Sequence, residues 1–454
     1  MPKSRSLPIF FLILSIPFLE LPMETKLLFA MPPVEREVLA NGLVLLVSED
    51  HSLPSITFRL LVDAGSRRDP AGEEGLSYLT GRGMLLGTSG RSSAQINEEL
   101  DFMGASLDVT TGRDTMVLGL RVLKKDLDRG LDLFMETVMK PAFPAEEIQR
   151  EIGQTLAAIQ SEEEVPQAVA EKAFQKTLFS NGPYGHPELG TKESLSRLAG
   201  EAVLRFYQTY YHPNNAILTV VGDTTFAEVK AKLAPLREGW ATAQIPEEHF
   251  TTQFARKSEA VRINREIAQA NVILGNGGIS RDNPDFYPLT LMNFILGGGG
   301  FGSRLFDEIR VKRGLAYDVR SFLDPGKYPG SFQIILQTKN ASAKEAIQIS
   351  LREMERMQGE WVSPEELERA KQYMIGSFPL RLDTQAQLAS FINQVEYYKL
   401  GLRYPEEFPK LIAAVTREDV LRVAKTYLHP KDYVLVIVGN LQEVGSSEVK
   451  PTSR

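Results

Sequence analysis

The sequence predicts an α+β protein made of two homologous domains in tandem, each a mostly antiparallel sheet backed by helices, and three observations carry that prediction. The first is an internal repeat. Residues 203–223 read VLRFYQTYYHPNNAILTVVGD and residues 420–440 read VLRVAKTYLHPKDYVLVIVGN, with His212 and His429, and likewise Gly222 and Gly439, 217 residues apart. Each copy is a helix that runs into a Tyr-x-His-Pro turn and then a β-branched strand ending at glycine, and a period this long means two domains, not a solenoid of short units. The second is that strand-like and helix-like segments come in blocks with hairpin-like neighbours, which favours segregated α+β over an alternating doubly wound sheet. The third is that 454 residues, 43% hydrophobic and 24% charged, fit an ordered globular chain long enough for two large cores.

In chain order, Lys3 and Arg5 precede an apolar run from Leu7 to Leu19, and Leu28, Phe29 and Ala30 offer a small-residue cleavage site before Met31. The run falls short of the about 20 apolar residues a membrane span needs, so residues 1–30 read as a secretory signal peptide and the mature protein as exported to the periplasm. The formal charge is −7, and removing three cationic and two anionic residues with the leader leaves −8. No block of positive charge stands out, which argues against nucleic acid as a partner. The absence of cysteine excludes disulfides, Cys zinc sites, iron–sulfur clusters and a thiol nucleophile.

Residues 31–240 form the first predicted domain, 241–257 a polar linker, 258–441 the second domain and 442–454 a tail. Within the first, 42–47 and 55–62 look like hairpin strands joined through the turn 48–54. A helix over 123–139 carries an apolar stripe at Leu123, Leu127, Leu131, Phe134 and Val138. Pro144 and Pro364, 220 residues apart, each open a charged helix, which extends the repeat with a small gap.

The segment 75–88, GLSYLTGRGMLLGT, with GSRRDP before it at 65–70, resembles the insulinase, pitrilysin and mitochondrial processing peptidase family of zinc metallopeptidases. The resemblance implies an inverted zinc motif on a helix, G-L-x-H-x-x-E-H-x-x-x-x-G-T, in which two histidines hold the metal and the glutamate activates water. The frame is intact here and the ligands are gone. Tyr78 stands at the first His position, Gly81 at the catalytic Glu and Arg82 at the second His, and the family's third ligand, a later glutamate, falls at Ala158. Glycine carries no base and arginine repels a divalent cation, so no metal is expected on this chain. The five histidines offer no alternative, because none is paired at metal-ligand spacing: His212 and His429 occupy equivalent turns, His186 a loop, His51 the predicted hairpin turn and His249 the linker.

In the second half, Gly297, Gly298, Gly299 and Gly300 lead into residues 303–317, SRLFDEIRVKRGLAY. The glycines formally satisfy G-x-G-x-x-G, but helical periodicity precedes them where a dinucleotide fingerprint needs a strand. The resemblance associates such a loop in a non-catalytic subunit with substrate, and it matches Arg310 and Tyr317 to an Arg and Tyr pair that reaches across to a zinc site and holds the substrate carbonyl. Hydrolysis builds a negative oxygen there, and a cation with a phenol donor stabilises it. A helix over 303–313, a C-cap at Gly314 and a strand from Tyr317 would bring the two side chains to one pocket.

The resemblance spans about 36–439 and includes the loop NGPYGHPELGT at 181–191 and RGLAY at 313–317. It implies half of a clamshell: an exported, non-catalytic subunit that binds an unfolded peptide or small protein and supplies Arg310 and Tyr317 in trans to a zinc-bearing homologous subunit, in a heterodimer or heterotetramer. The competing expectation is a degenerate peptidase that binds peptides or serves as a scaffold without hydrolysis. A serine hydrolase finds no G-x-S-x-G in the chain.

Overall fold

The computed structural model describes residues 31–445 apart from 181, 183, 249–251, 256 and 257. The predicted signal peptide, His249 and residues 446–454 of the predicted tail lie outside the described residues. Strands β1 (Val34–Val38), β2 (Val44–Glu49), β3 (Ser55–Val62), β4 (Ser106–Thr111), β5 (Met116–Leu123) and β6 (Ala216–Gly222) form one sheet in the order β1-β2-β6-β3-β5-β4. Strands β7 (Glu259–Asn264), β8 (Gln269–Gly277), β9 (Ala316–Asp324), β10 (Ser331–Lys339) and β11 (Val434–Gly439) form a second in the order β7-β11-β8-β10-β9. Without β1 the two sheets trace the same path, and in each a single parallel pair, β2 with β6 and β7 with β11, stands among antiparallel ones. Helices cover both sheets, so the α+β tandem read from the repeat is the architecture found.

One local expectation is corrected. Segments 42–47 and 55–62 do not pair as a hairpin, because β6 lies between β2 and β3, parallel to the first and antiparallel to the second. Strand β6 is apolar on both faces and takes a central position, and the turn at 48–54 bridges two inter-strand gaps, roughly 10 Å. The helix expected over 123–139 begins at Leu127, and Leu123 is the exposed last residue of β5.

The apolar run of the central strands has a specific cause. Val434, Val436 and Val438 of β11 pack against Phe174 and Leu178, while Leu435 and Ile437 face the core of the second half. Phe174 and Leu178 belong to the helix Pro166–Phe179, which comes from the first half of the chain. The reverse holds for the helix Gln385–Tyr397, whose Leu388, Ala389 and Ile392 pack on Leu46 and Val221 of the first sheet. The two helices are repeat equivalents, and each lies across the other half's sheet. Burial on both faces replaces the alternation that a half-exposed strand would show.

Polar contacts set the register of this exchange. The Thr219 hydroxyl donates to Asn393 Oδ1 at 2.6 Å and Asn393 Nδ2 donates to the Arg59 carbonyl at 3.2 Å, with Thr219 and Asn393 both buried. On the other side Gln333 Nε2 donates to Glu171 at 3.1 Å. A charged cluster joins the halves beside it. The fully buried Arg67 guanidinium pairs with Asp63, with Asp114 at 3.3 Å and with Glu248 of the connecting segment at 3.2 Å. Lys327 of the second half pairs with Asp63 at 2.6 Å and Asp324 with Arg113 at 2.5 Å. Among the described residues no helix is long and apolar enough to cross a membrane.

Asn393→Leu keeps the branched shape and leaves the Thr219 hydroxyl buried without its partner, at about 1–3 kcal/mol, while the Arg59 carbonyl keeps its place in the ladder of a strand paired on both sides. The expected result is an earlier urea midpoint with both halves still unfolding in one transition; an unchanged midpoint would show that water satisfies the hydroxyl.

Candidate functional site

The degenerate motif forms the helix Leu76–Gly83. Its start is held by the Asp69 carboxylate, which accepts from the backbone N–H of Gly75 and of Ser77, both at 2.8 Å, and so satisfies donors that a helix N-terminus leaves free. Gly81 presses the helix onto the sheet. A Cβ there would lie 2.7 Å from Thr111 Oγ1 and 2.9 Å from Val109 Cγ1, both on β4. The residue standing where the family carries its base is thus a contact that only glycine makes in this packing.

Arg82 does not project empty-handed into the metal position. Its Nε donates to Glu151 Oε1 at 2.9 Å and Nη2 reaches Oε2 at 3.5 Å, with Glu151 on the adjacent helix Ala145–Glu163 and 5% exposed. The hydrogen bond to Glu151 raises the Arg82 pKa, keeping the guanidinium charged. Tyr78 is half-buried one turn earlier; burial pushes its phenol up, the Glu151 charge adds to this and Arg82 opposes it, so the phenol stays protonated. Ala158 lies on the same helix as Glu151, two turns on, and is exposed. A neutral phenol, a guanidinium already paired with Glu151 and an alanine therefore stand at the positions where the family carries two imidazoles and a carboxylate, and these residues do not fit the metal. Among the described residues no group of three His, Asp or Glu side chains is placed to hold one. Sequence reading missed Glu151; the signal was Arg82 itself, since a cation on a largely buried helix face requires a carboxylate opposite.

Two of the histidines are held by hydrogen bonds away from the motif helix. His212 Nε2 lies 2.7 Å from the Gln208 carbonyl and Nδ1 2.9 Å from that of Ala241, and His51 Nδ1 lies 2.6 Å from Asp223.

The structure brings Arg310 and Tyr317 together through two irregularities. Residues 304–311 are helical, and their last turns, Phe306–Val311, are widened into a π-helix. Gly314 then turns the chain at φ +62°. In β9, Asp318 pairs with Gln337 and Ala316 with Thr338, which leaves Tyr317 as the extra residue of a β-bulge. A bulge re-aims a side chain, and π turns and bulges both recur at functional sites. The Arg310 guanidinium carbon lies 4.6 Å from the Tyr317 ring centroid, 4.8 Å from that of Phe306 and 5.5 Å from that of Phe301. Tyr317 and Phe301 are 76% and 81% exposed. No acidic side chain pairs with Arg310 among the described residues, and its neighbour Glu308 is taken by Lys312 at 2.5 Å and Arg313 at 2.6 Å.

The glycines divide by role. The helix Phe286–Asn293 continues into a π turn, Phe294–Gly298, so no strand precedes them and the dinucleotide arrangement is absent. A Cβ on Gly297 would lie 2.7 Å from Ser321 N, on Gly298 2.6 Å from Asn293 Nδ2 and on Gly299 2.8 Å from the Phe294 carbonyl. Gly297 and Gly299 are demanded by packing against backbone, whereas Gly298 meets only the movable end of the Asn293 side chain at that distance. Gly300, at φ +60° with open space around it, turns the loop that presents Phe301 over Arg310.

Two family models match the chain: Insulinase (Peptidase family M16) over residues 44–192 and Peptidase M16 inactive domain over 197–374. A Rickettsia bellii protein named as an uncharacterized zinc protease is 29% identical over 388 residues, covering 85% of this chain and 93% of that protein. A Helicobacter pylori protein named non-peptidase homolog YmxG is 25% identical, covering 86% of this chain and 90% of its own. A solved structure of a peptidase M16 inactive domain from Pseudomonas fluorescens superposes with a TM-score of 0.84 at 28% identity, covering 90% of this chain and 98% of that one.

Two variants test the reading of the motif helix. Gly81→Ala overpacks β4 and is expected to cost about 1–3 kcal/mol, and Arg82→Ala strands a buried carboxylate at a similar cost, about 1–3 kcal/mol. Denaturant midpoints measure both; wild-type midpoints would mean that the helix is loosely docked and Glu151 hydrated.

Proposed function

The chain belongs to the insulinase family of peptidases, peptidase family M16, as a degenerate member, and on that premise we propose that it is the non-catalytic subunit of an exported zinc metalloendopeptidase. In this reading it binds an unfolded peptide and supplies Arg310 and Tyr317 in trans to a homologous subunit that carries zinc. One contrast supports it. The motif helix carries the Arg82–Glu151 ion pair in place of a metal-binding set, whereas the half-buried Arg310 and the exposed Tyr317 stand together, with no acidic partner for Arg310 among the described residues. A decaying peptidase under no demand for hydrolysis has no reason to hold an arginine charge open at an aromatic-lined surface.

Mechanistically the partner would provide the metal-activated water. This chain's residues would bind and polarise the scissile amide: the Arg310 guanidinium and Tyr317 hydroxyl donate to the carbonyl oxygen as it gains negative charge. Loss of such a donor typically costs about 10²–10³ in kcat. Of the four glycines, Gly299 and Gly300 would line the substrate's path with Phe301, while Gly297 is buried beneath it.

The second reading, a peptide-binding or scaffold protein without hydrolysis, draws on the relative named as a non-peptidase homolog. One assay separates the two. Mature protein purified from its host, or reconstituted with a subunit bearing H-x-x-E-H, is given a quenched peptide with and without chelator. Chelator-sensitive cleavage that falls about 10²-fold or more with Arg310→Ala, and less with Tyr317→Phe, is expected. Cleavage indifferent to both substitutions would remove the in-trans role, and absence of any partner or cleavage would favour the scaffold.

Periplasmic export rests on the composition of residues 1–30. Intact-mass analysis of the protein from the periplasmic fraction is expected to show a chain beginning at Met31; a full-length chain held in the membrane fraction would replace the signal peptide by an anchor.

A further inference from the structure

We propose that the open edge of β9 together with Arg310 forms a binding site for an extended peptide ending in a free carboxylate, and that this chain thereby retains the amino-terminal-side product of cleavage. The inference takes from the proposed function only that a substrate carbonyl sits at Arg310.

The polarity of the sheet leads to it. Strand β9 lies at the sheet edge, with β10 as its only strand neighbour among the described residues, so one row of its backbone groups is open to a further strand. A strand added antiparallel to β9 runs from Asp324 back toward Ala316, so its carboxyl end arrives at the bulge where Tyr317 leans over Arg310. The outward side chains Asp318, Arg320 and Phe322 would meet alternate side chains of the peptide.

Charge chooses the terminus. Three aromatic rings flank the Arg310 guanidinium, which makes no side-chain hydrogen bond or ion pair among the described residues, so its planar row of N–H donors is free to hold a carboxylate in bidentate fashion. The nearby acids do not compete: Glu308 pairs with Lys312 and Arg313, and Asp318 lies 3.4 Å from Arg320. Hydrolysis adds water across the amide C–N bond, leaving an amine on one fragment and a carboxylate on the other. The carbonyl that Arg310 held as a neutral acceptor then carries a full negative charge on the amino-terminal-side fragment, which binds more tightly than the substrate did.

The test uses the isolated mature protein and needs no zinc-bearing partner. The probe is an eight-residue peptide, dye-labelled at its amino end, with a leading lysine and then alternating threonine and valine. It is compared as the free acid, as the carboxyl-terminal amide and as the free acid N-methylated at alternate residues, by fluorescence anisotropy. The free acid is expected to bind at least tenfold more tightly than the amide, N-methylation to weaken binding at least tenfold, and Arg310→Gln to erase the acid–amide difference with an unchanged far-UV spectrum. Equal binding of acid and amide to the wild type, a difference that survives Arg310→Gln, or indifference to N-methylation would each overturn the proposal. Any of these can fail while Arg310→Ala still abolishes cleavage with the partner, and that result would leave the in-trans role standing without product retention.

Discussion

Everything in this fold depends on the exchange of two helices between its halves. The helix Pro166–Phe179 closes the outer face of the second sheet and its repeat equivalent, Gln385–Tyr397, closes that of the first. Neither sheet can bury its central strand alone, so neither half is complete without the other. The exchange also places charge where solvent is scarce, and the molecule answers with a cluster in which Arg67 meets Asp63, Asp114 and Glu248. A buried guanidinium is tolerable only when paired this fully, and the pairing ties the connecting segment and the turn bearing Lys327 to the first sheet. The result is one stiff body on which a site in the second half keeps its position relative to the first.

On that scaffold the loss of the metal is a rebuilt contact and not merely a set of deletions. Where the family's second imidazole would stand, Arg82 meets Glu151 of the neighbouring helix, a pair that satisfies its own charge. Gly81 makes the change structural, because the helix sits against β4 at a distance that no Cβ permits without displacement. Position 81 therefore serves the packing of the helix and offers nothing to a water molecule.

The surface around Arg310 follows the opposite logic. Three aromatic rings hold the guanidinium by cation–π contact, worth roughly 0.5–1 kcal/mol each at an exposed site, instead of by an acid that would cancel its charge. Two departures from regular geometry, a π turn and a β-bulge, bring residues seven apart in sequence to face each other. Regular helix and strand would have sent Tyr317 into the alternation of β9. The irregularities have a cost in ladder and helix geometry, and the rest of the second core, with Ile309, Ala316 and Val319 buried, absorbs it.

By itself the sequence determined the fold class, the tandem and the loss of the zinc ligands, because these depend on residue identity and local periodicity: a repeat 217 residues long, β-branched runs ending at glycine, and Tyr78, Gly81 and Arg82 in a recognisable frame. The expectation that Arg310 and Tyr317 act together came from the resemblance of residues 303–317 to the family's motif and not from local pattern, because a π turn and a β-bulge, which no periodicity records, bring the two side chains together. The tertiary structure decided what depends on partners distant in the chain. Strand β6 came between β2 and β3 because strand order is set by which segment is apolar on both faces once an exchanged helix covers it. Glu151 became the partner of Arg82, and among the glycines Gly297 and Gly299 proved to be required by packing against backbone while Gly300 forms an open turn, because ion pairs and close approaches are made between elements whose spacing no local pattern records.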